Sequence, residues 1–148
     1  MTHDEENLAR MAIRHSQSVY NNSGDRGQVD EMMGAFTPDG VLQTYNARYE
    51  GVEAIKAFIA AVARGEATVD LAGSRHNLTT SRIEFESDTV ALGWTYYFVT
   101  RKGTTLEDGL YIDRYEKRGD RWLIAHRRVK SLWFLNPEAE AARLRHSA

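Results

Sequence analysis

Up to Ala63 the apolar residues of this chain recur every three or four positions; from Arg75 onward they largely alternate with polar ones. The first spacing is that of a helix with one face on a core, the second that of a strand on a half-buried sheet. Thr2-His3-Asp4-Glu5 has the form of a capping box, in which Thr2 accepts from a free backbone N–H and Glu5 reaches back. It predicts a first helix to about Asn22, with Leu8, Met11, Ala12, His15 and Val19 along one side and Asn21-Asn22-Ser23-Gly24 as its end. A short second helix carries Val29, Met32, Met33 and Phe36. Thr37-Pro38-Asp39-Gly40 reads as a turn, proline fixing φ and glycine taking the corner, before a short strand from Val41 to Tyr45. Gly51 to Ala63 is a third helix striped by Ile55, Phe58, Ile59 and Val62, with Gly65 placed to end it.

Arg75–Phe85, Thr89–Arg101, Leu106–Lys117 and Arg121–Phe134 are four long segments rich in Thr, Val, Ile, Tyr, Phe and Trp. The short polar links between them, such as Lys102-Gly103-Thr104 and Arg118-Gly119-Asp120, predict an antiparallel meander. Asn136-Pro137-Glu138 then opens a last short helix, with proline at its first position. Helices first and a meander afterwards is the α+β pattern, with the helices gathered on one face of the sheet. Without repeat, low-complexity stretch or linker, residues 1–148 are expected to form one domain.

Composition narrows the function. Hydrophobic residues are 42% and charged residues 27% of the chain, and the formal net charge is -2 with both signs interspersed. No basic stripe is available to follow a phosphate backbone, so nucleic acid is not an expected partner. The longest aliphatic and aromatic run, Ala57 to Ala63, is seven residues, against roughly 20 for a membrane span. The acidic N-terminus is unlike a signal peptide, and no membrane association and a cytoplasmic location are expected. There are no cysteines, which removes disulfides, thiolate metal sites and a cysteine nucleophile. The five histidines lack paired ligand spacing, and there is no Walker loop, dinucleotide fingerprint or nucleophile elbow, so neither metal nor cofactor is expected.

Scattered polar residues remain. Asp25 sits just past the first helix, where it reads either as a cap for the second helix or as a functional carboxylate. His76 opens a long strand, with Leu78 and Thr80 on its face; it is a structural histidine or a group suited to proton transfer near neutrality. Tyr20 lies on the last turn of helix one and reads as a core aromatic or a pocket hydroxyl. Strict alternation puts Arg128 with Trp122, Ile124 and His126 and leaves Arg127 to solvent. Trp94, Tyr96 and Phe98 share one face of a strand, as core packing or as the lining of an apolar pocket, with Tyr97 on the other face. The run Trp133-Phe134-Leu135 either closes the last strand over the core or forms a subunit interface.

The ordered series resembles the SnoaL-like branch of the nuclear-transport-factor-two-like superfamily. The residues that carry it are Val19 to Gly27, Phe36-Thr37-Pro38-Asp39-Gly40, Tyr49-Glu50-Gly51, Arg75 to Thr79, Gly109 to Tyr115 and Gly119 to Arg128. The resemblance implies a cone, in which helices close a strongly curved, mostly antiparallel sheet around a deep apolar cavity, commonly in homodimers or homotrimers. In motif layout the chain is most similar to the scytalone dehydratase, bile-acid dehydratase and dehydrochlorinase group. There an Asp after helix one and a His on the first long strand form an acid–base pair, which implies Asp25 and His76 here. The bile-acid enzymes of that group imply catalytic parts for Tyr20 and Arg128, and Tyr45, Trp94, Tyr96, Phe98 and Tyr111 are expected to contact the substrate. The sequence departs from scytalone dehydratase at about Thr100, Gly24 and Tyr111, which argues against scytalone as substrate. The implied function is a cofactor-independent lyase for a small apolar steroid, polyketide or aromatic molecule. An isomerase, epoxide hydrolase or cyclase, or a non-catalytic binding or assembly domain, would use the same pocket.

Overall fold

The computed structural model describes residues 1–147 of the 148 in the chain. Helix α1 spans His3–Asp25, followed by α2 (Val29–Met33), strand β1 (Phe36–Gln43), β2 (Arg48–Glu50) and α3 (Val52–Ala63). Strands β3 (Arg75–Ser87), β4 (Val90–Arg101), β5 (Thr104–Arg118) and β6 (Arg121–Phe134) follow, and α4 (Pro137–His146) closes the order. The six strands form one curved sheet in the order β2-β1-β6-β5-β4-β3, antiparallel throughout except where β1 runs parallel to β6. The fold is α+β, with α1 and α3 packed on the sheet and α2 wedged against both helices, close to what the sequence implies. No helix among the described residues is long and apolar enough to cross a membrane.

The capping box forms: Glu5 N–H donates to Thr2 Oγ1, and Thr2 N–H to Glu5 at 2.7 Å. Helix α1 nevertheless presents a different face from the one the apolar stripe predicts. Leu8, Met11 and His15 are exposed, while Ala9, Ile13, Ser16, Gln17 and Tyr20 point inward. The inward face is partly polar because it hydrogen-bonds the sheet. Ser16 Oγ donates to the Trp122 carbonyl (2.5 Å), and Gln17 Nε2 donates to Thr95 Oγ1 (3.0 Å) and the Tyr115 hydroxyl (2.8 Å).

The helix also runs through Asn21-Asn22-Ser23-Gly24 to Asp25 and stops only at Gly27, whose φ of 70° leaves the helical region. Asn21 and Ser23 are spent on tertiary bonds instead, to the Tyr111 hydroxyl (3.1 Å) and to Glu31 (3.3 Å). The expected turn Thr37-Pro38-Asp39-Gly40 lies inside β1 as a bulge, because the chain pairs with β6 on both sides of it, Phe36 with Ile124 and Val41 with His126.

A second bulge decides the site. On β6, Arg114 pairs with His126 and Tyr115 with Ile124, so Ala125 is unopposed and the alternation resets there. Trp122 and Ile124 face inward before the bulge, Arg127, Val129 and Ser131 after it. Arg127 is therefore 0% exposed and Arg128 lies on the outer surface, the reverse of strict alternation.

Candidate active site

The concave face of the sheet, α1, α3 and the 64–74 segment enclose a cavity of about 500 Å³, a size suited to a small organic ligand. Leu42, Phe58, Ile59, Val62, Val129 and Phe134 supply apolar wall, and Phe58, Ile59 and Val62 are the stripe expected of α3. The polar wall contains Tyr20, Asp25, His76, Tyr97, Glu107 and Tyr111.

Asp25 ends α1 and His76 is the second residue of β3, and the packing of α1 against β3 brings them together. One carboxylate oxygen of Asp25 lies 2.6 Å from His76 Nδ1, and the other accepts the His76 backbone N–H at 2.9 Å. A carboxylate can only accept, so Nδ1 carries a proton and, in the neutral ring, Nε2 holds the lone pair. Nε2 has no protein hydrogen bond among the described residues, and both side chains lie on the cavity wall, mostly buried. The two hydrogen bonds that His76 donates to Asp25 fix the ring and the strand that carries it.

Tyr20 and Tyr111 are buried and meet edge to face at 5.9 Å between centroids. Behind them the Arg127 guanidinium lies 4.3 Å from the Tyr20 ring and 3.9 Å from that of Tyr111. Arg127 donates to both oxygens of Asp113, at 2.9 and 2.7 Å, and Tyr115 donates to Asp113 at 2.6 Å. Burial pushes the Tyr20 hydroxyl up from its ordinary range, while the Arg127 charge draws it back down. Tyr45 sits at the rim, edge-on to Phe134 and His146.

The structure does not bring every expected residue to the cavity. Arg128 is on the outer face for the reason given above. Trp94, Tyr96 and Phe98 also face outward, Tyr96 being 54% exposed. The inward parity of β4 belongs to Ala91, Gly93, Thr95, Tyr97 and Val99. Gly93 makes room for the Tyr115 ring, which a Cβ there would meet at 2.8 Å, and Thr95 accepts from Gln17, while Trp94, Tyr96 and Phe98 occupy the opposite side. On β3 a bulge between Leu78 and Ser81 puts Ser81, rather than Thr80, against Thr95 at 2.8 Å. Of the apolar run near the C-terminus, Phe134 is buried and lines the cavity, while Trp133 and Leu135 are exposed.

Two cavity residues escape the sequence reading. Tyr97 stacks on Tyr111 at 4.3 Å and donates to Glu107 at 2.5 Å. Glu107 is buried and accepts a second bond on the same oxygen from Ser131, at 3.0 Å. Its parity on β5, shared with Tyr111 and Asp113, is the signal that marks it as inward. No group of three or more His, Asp or Glu side chains among the described residues is arranged to hold a metal ion.

The model of the SnoaL-like domain family matches residues 5–128. No curated protein matches the chain. A function-unknown protein from Mycobacterium tuberculosis superposes with a TM-score of 0.78 at 24% identity, covering 99% of this chain and 90% of its own. A scytalone dehydratase-like protein from Novosphingobium aromaticivorans gives 0.76 at 21%, covering 92% and 91%. Hexachlorocyclohexane dehydrochlorinase LinA-type3 from Novosphingobium barchaimii gives 0.74 at 18%, covering 88% and 90%. At these identities the likeness is one of fold.

Proposed function

The chain belongs to the SnoaL-like domain family, and from that premise we propose that it is a cofactor-independent lyase acting on a small apolar molecule of steroid, polyketide or aromatic size. The observation that carries the reading is the Asp25–His76 pair, 2.6 Å apart on the wall of the cavity, with Nε2 unpaired among the described residues. His76 Nε2 takes a carbon-bound proton α to a carbonyl. The C–H electrons form the new double bond as the C–O bond at the neighbouring carbon breaks, and the departing oxygen takes the proton back from the imidazolium and leaves as water, restoring His76. Asp25 holds the tautomer and stabilises the imidazolium. Tyr20, with the Arg127 charge behind it, stabilises the developing enolate oxygen, a donor of this kind being worth on the order of 3 kcal/mol.

Assembly as a homodimer or homotrimer belongs to the same reading; the exposed Tyr96, Leu132, Trp133 and Leu135 on the outer surface supply apolar area for it. The test is turnover of a panel of β-hydroxy ketones, steroids and lignin-type aromatics by the parent, His76→Ala and Asp25→Asn. General-base loss lowers the rate by about 100- to 10,000-fold in His76→Ala, with a smaller drop in Asp25→Asn. Undiminished turnover in both variants sinks the assignment.

A further inference from the structure

Glu107 is a buried carboxyl on the cavity wall that the Asp25–His76 chemistry leaves unused. His76 pairs with Val99 across β3 and β4, and Val99 pairs with Glu107 across β4 and β5. Residues directly opposite one another project from the same face. His76 and Glu107 thus stand on the concave face on either side of Val99, with backbones about 10 Å apart at about 4.8 Å per strand step. Both side chains line the cavity, about that far apart along its wall.

The surroundings of Glu107 are built. Tyr97 crosses β5 directly over Gly109, where any Cβ would overlap its ring, and so reaches Glu107. Tyr97 and Ser131 both donate to Oε1 and leave Oε2 without a protein partner among the described residues. With Oε1 engaged twice as acceptor, a proton on the carboxyl belongs on Oε2. The charged and titratable groups around it are Tyr97 on β4, His76 on β3 with Asp25 behind it and Tyr20 on α1, and Asp108 and Tyr111 on its own strand. Burial raises the affinity of Glu107 for its proton, against the two hydroxyl donors and His76, which lower it.

We propose that Glu107 is a second catalytic residue of the cavity, a neutral general acid whose Oε2 proton passes to the oxygen leaving the substrate. The proposal rests on the lyase reading above and divides its labour. Nε2 of His76 takes the carbon-bound proton, the C–O bond breaks, and Glu107 rather than the imidazolium delivers the proton that completes water. The cavity is left with an imidazolium and a carboxylate, and exchange with solvent moves one proton from the first to the second. The substrate class follows: a compact apolar molecule with a poor oxygen leaving group, a hydroxyl, β to the carbonyl.

Two measurements test this. Difference infrared spectroscopy of the parent against Glu107→Gln, at neutral pH, reads a protonated-carboxyl band present only in the parent; a carboxylate band in its place overturns the proposal. The amide of the variant keeps an acceptor for Tyr97 and Ser131, and Glu107→Asp serves as a second variant should it fold poorly. The kinetic arm uses the aldol of benzaldehyde and acetone together with its β-chloro analogue, because chloride departs without a proton. Glu107→Gln lowers loss of water by about 100-fold or more and leaves loss of chloride nearly unchanged, while His76→Ala lowers both. Equal loss on both substrates in Glu107→Gln overturns the acid role and spares the base. Parent protein that turns over neither substrate overturns the lyase reading and the transfer step together.

Discussion

Replacing Asp113 by alanine isolates the buried charge beneath the cavity. Asp113 and Arg127 are both 0% exposed, and the carboxylate takes two bonds from the guanidinium and one from Tyr115. Its loss leaves Nε and Nη2 of Arg127 without acceptors, beside an Nη1 that already has no partner among the described residues. Two lost charge-assisted bonds are worth about 1.5–3 kcal/mol each. The faces of Tyr20 and Tyr111, at 4.3 and 3.9 Å, still stabilise the cation and recover part of that. The net cost is about 4 kcal/mol, within the range of about 3–5 kcal/mol for breaking a buried pair from one side. Urea unfolding followed by tryptophan fluorescence reads this as a midpoint lowered by about 2 M, taking a slope of about 2 kcal/mol per molar. The double variant Asp113→Leu, Arg127→Met removes both charges and is more stable than Asp113→Ala. A single-variant cost below about 1 kcal/mol, or strict additivity in the double variant, refutes the reasoning.

Other consequences can be measured on the same equipment. Glu107 binds its proton more tightly in the fold than in the unfolded chain, whose reference value is 4.5. Its contribution to stability is therefore full below that value and is lost as pH rises through the folded one. As pH rises above 4.5 the parent loses stability relative to Glu107→Gln in urea melts, and parallel pH profiles contradict this. Gly109→Ala pushes a methyl into the Tyr97 ring, costs about 2 kcal/mol by overpacking, and displaces the Tyr97 hydroxyl from Glu107. A stability change near zero, with the infrared signature of Glu107 intact, would show that the ring is free to move.

The sequence made the element order legible because capping, turn and alternation signals are local. Thr2 and Glu5, the stripe on α3 and the four meander strands all stand close to their expected bounds. Asp25 and His76 were legible through the ordered motif series, and Tyr20, Tyr45 and Tyr111 line the cavity that the series implies. What local pattern could not supply was parity across bulges. One unopposed residue, Ala125, exchanges Arg127 for Arg128, and the bulge at Leu78/Ser81 exchanges Ser81 for Thr80. Hydrophobicity also misassigns a helix face that binds its sheet through Ser16 and Gln17. On β4 it selects the larger aromatics, Trp94, Tyr96 and Phe98, whereas the inward parity carries Gly93 beneath the Tyr115 ring, Thr95 bonded to Gln17, and Tyr97. Glu107 stood on the correct parity of β5, but acidic residues on strands usually face water. Its burial depends on Tyr97 and Ser131, contributed by two neighbouring strands.

The claim on which the function turns is that Asp25 holds His76 with its proton on Nδ1 and a free Nε2 toward the cavity. Long-range proton–nitrogen correlation spectra of protein labelled with nitrogen-15 at histidine read this directly, with His76→Ala to assign the signal. In the neutral ring the expected result is a protonated Nδ1 and an unprotonated Nε2, with the proportion shifting in Asp25→Asn. A proton found on Nε2, or a tautomer indifferent to Asp25→Asn, would contradict it.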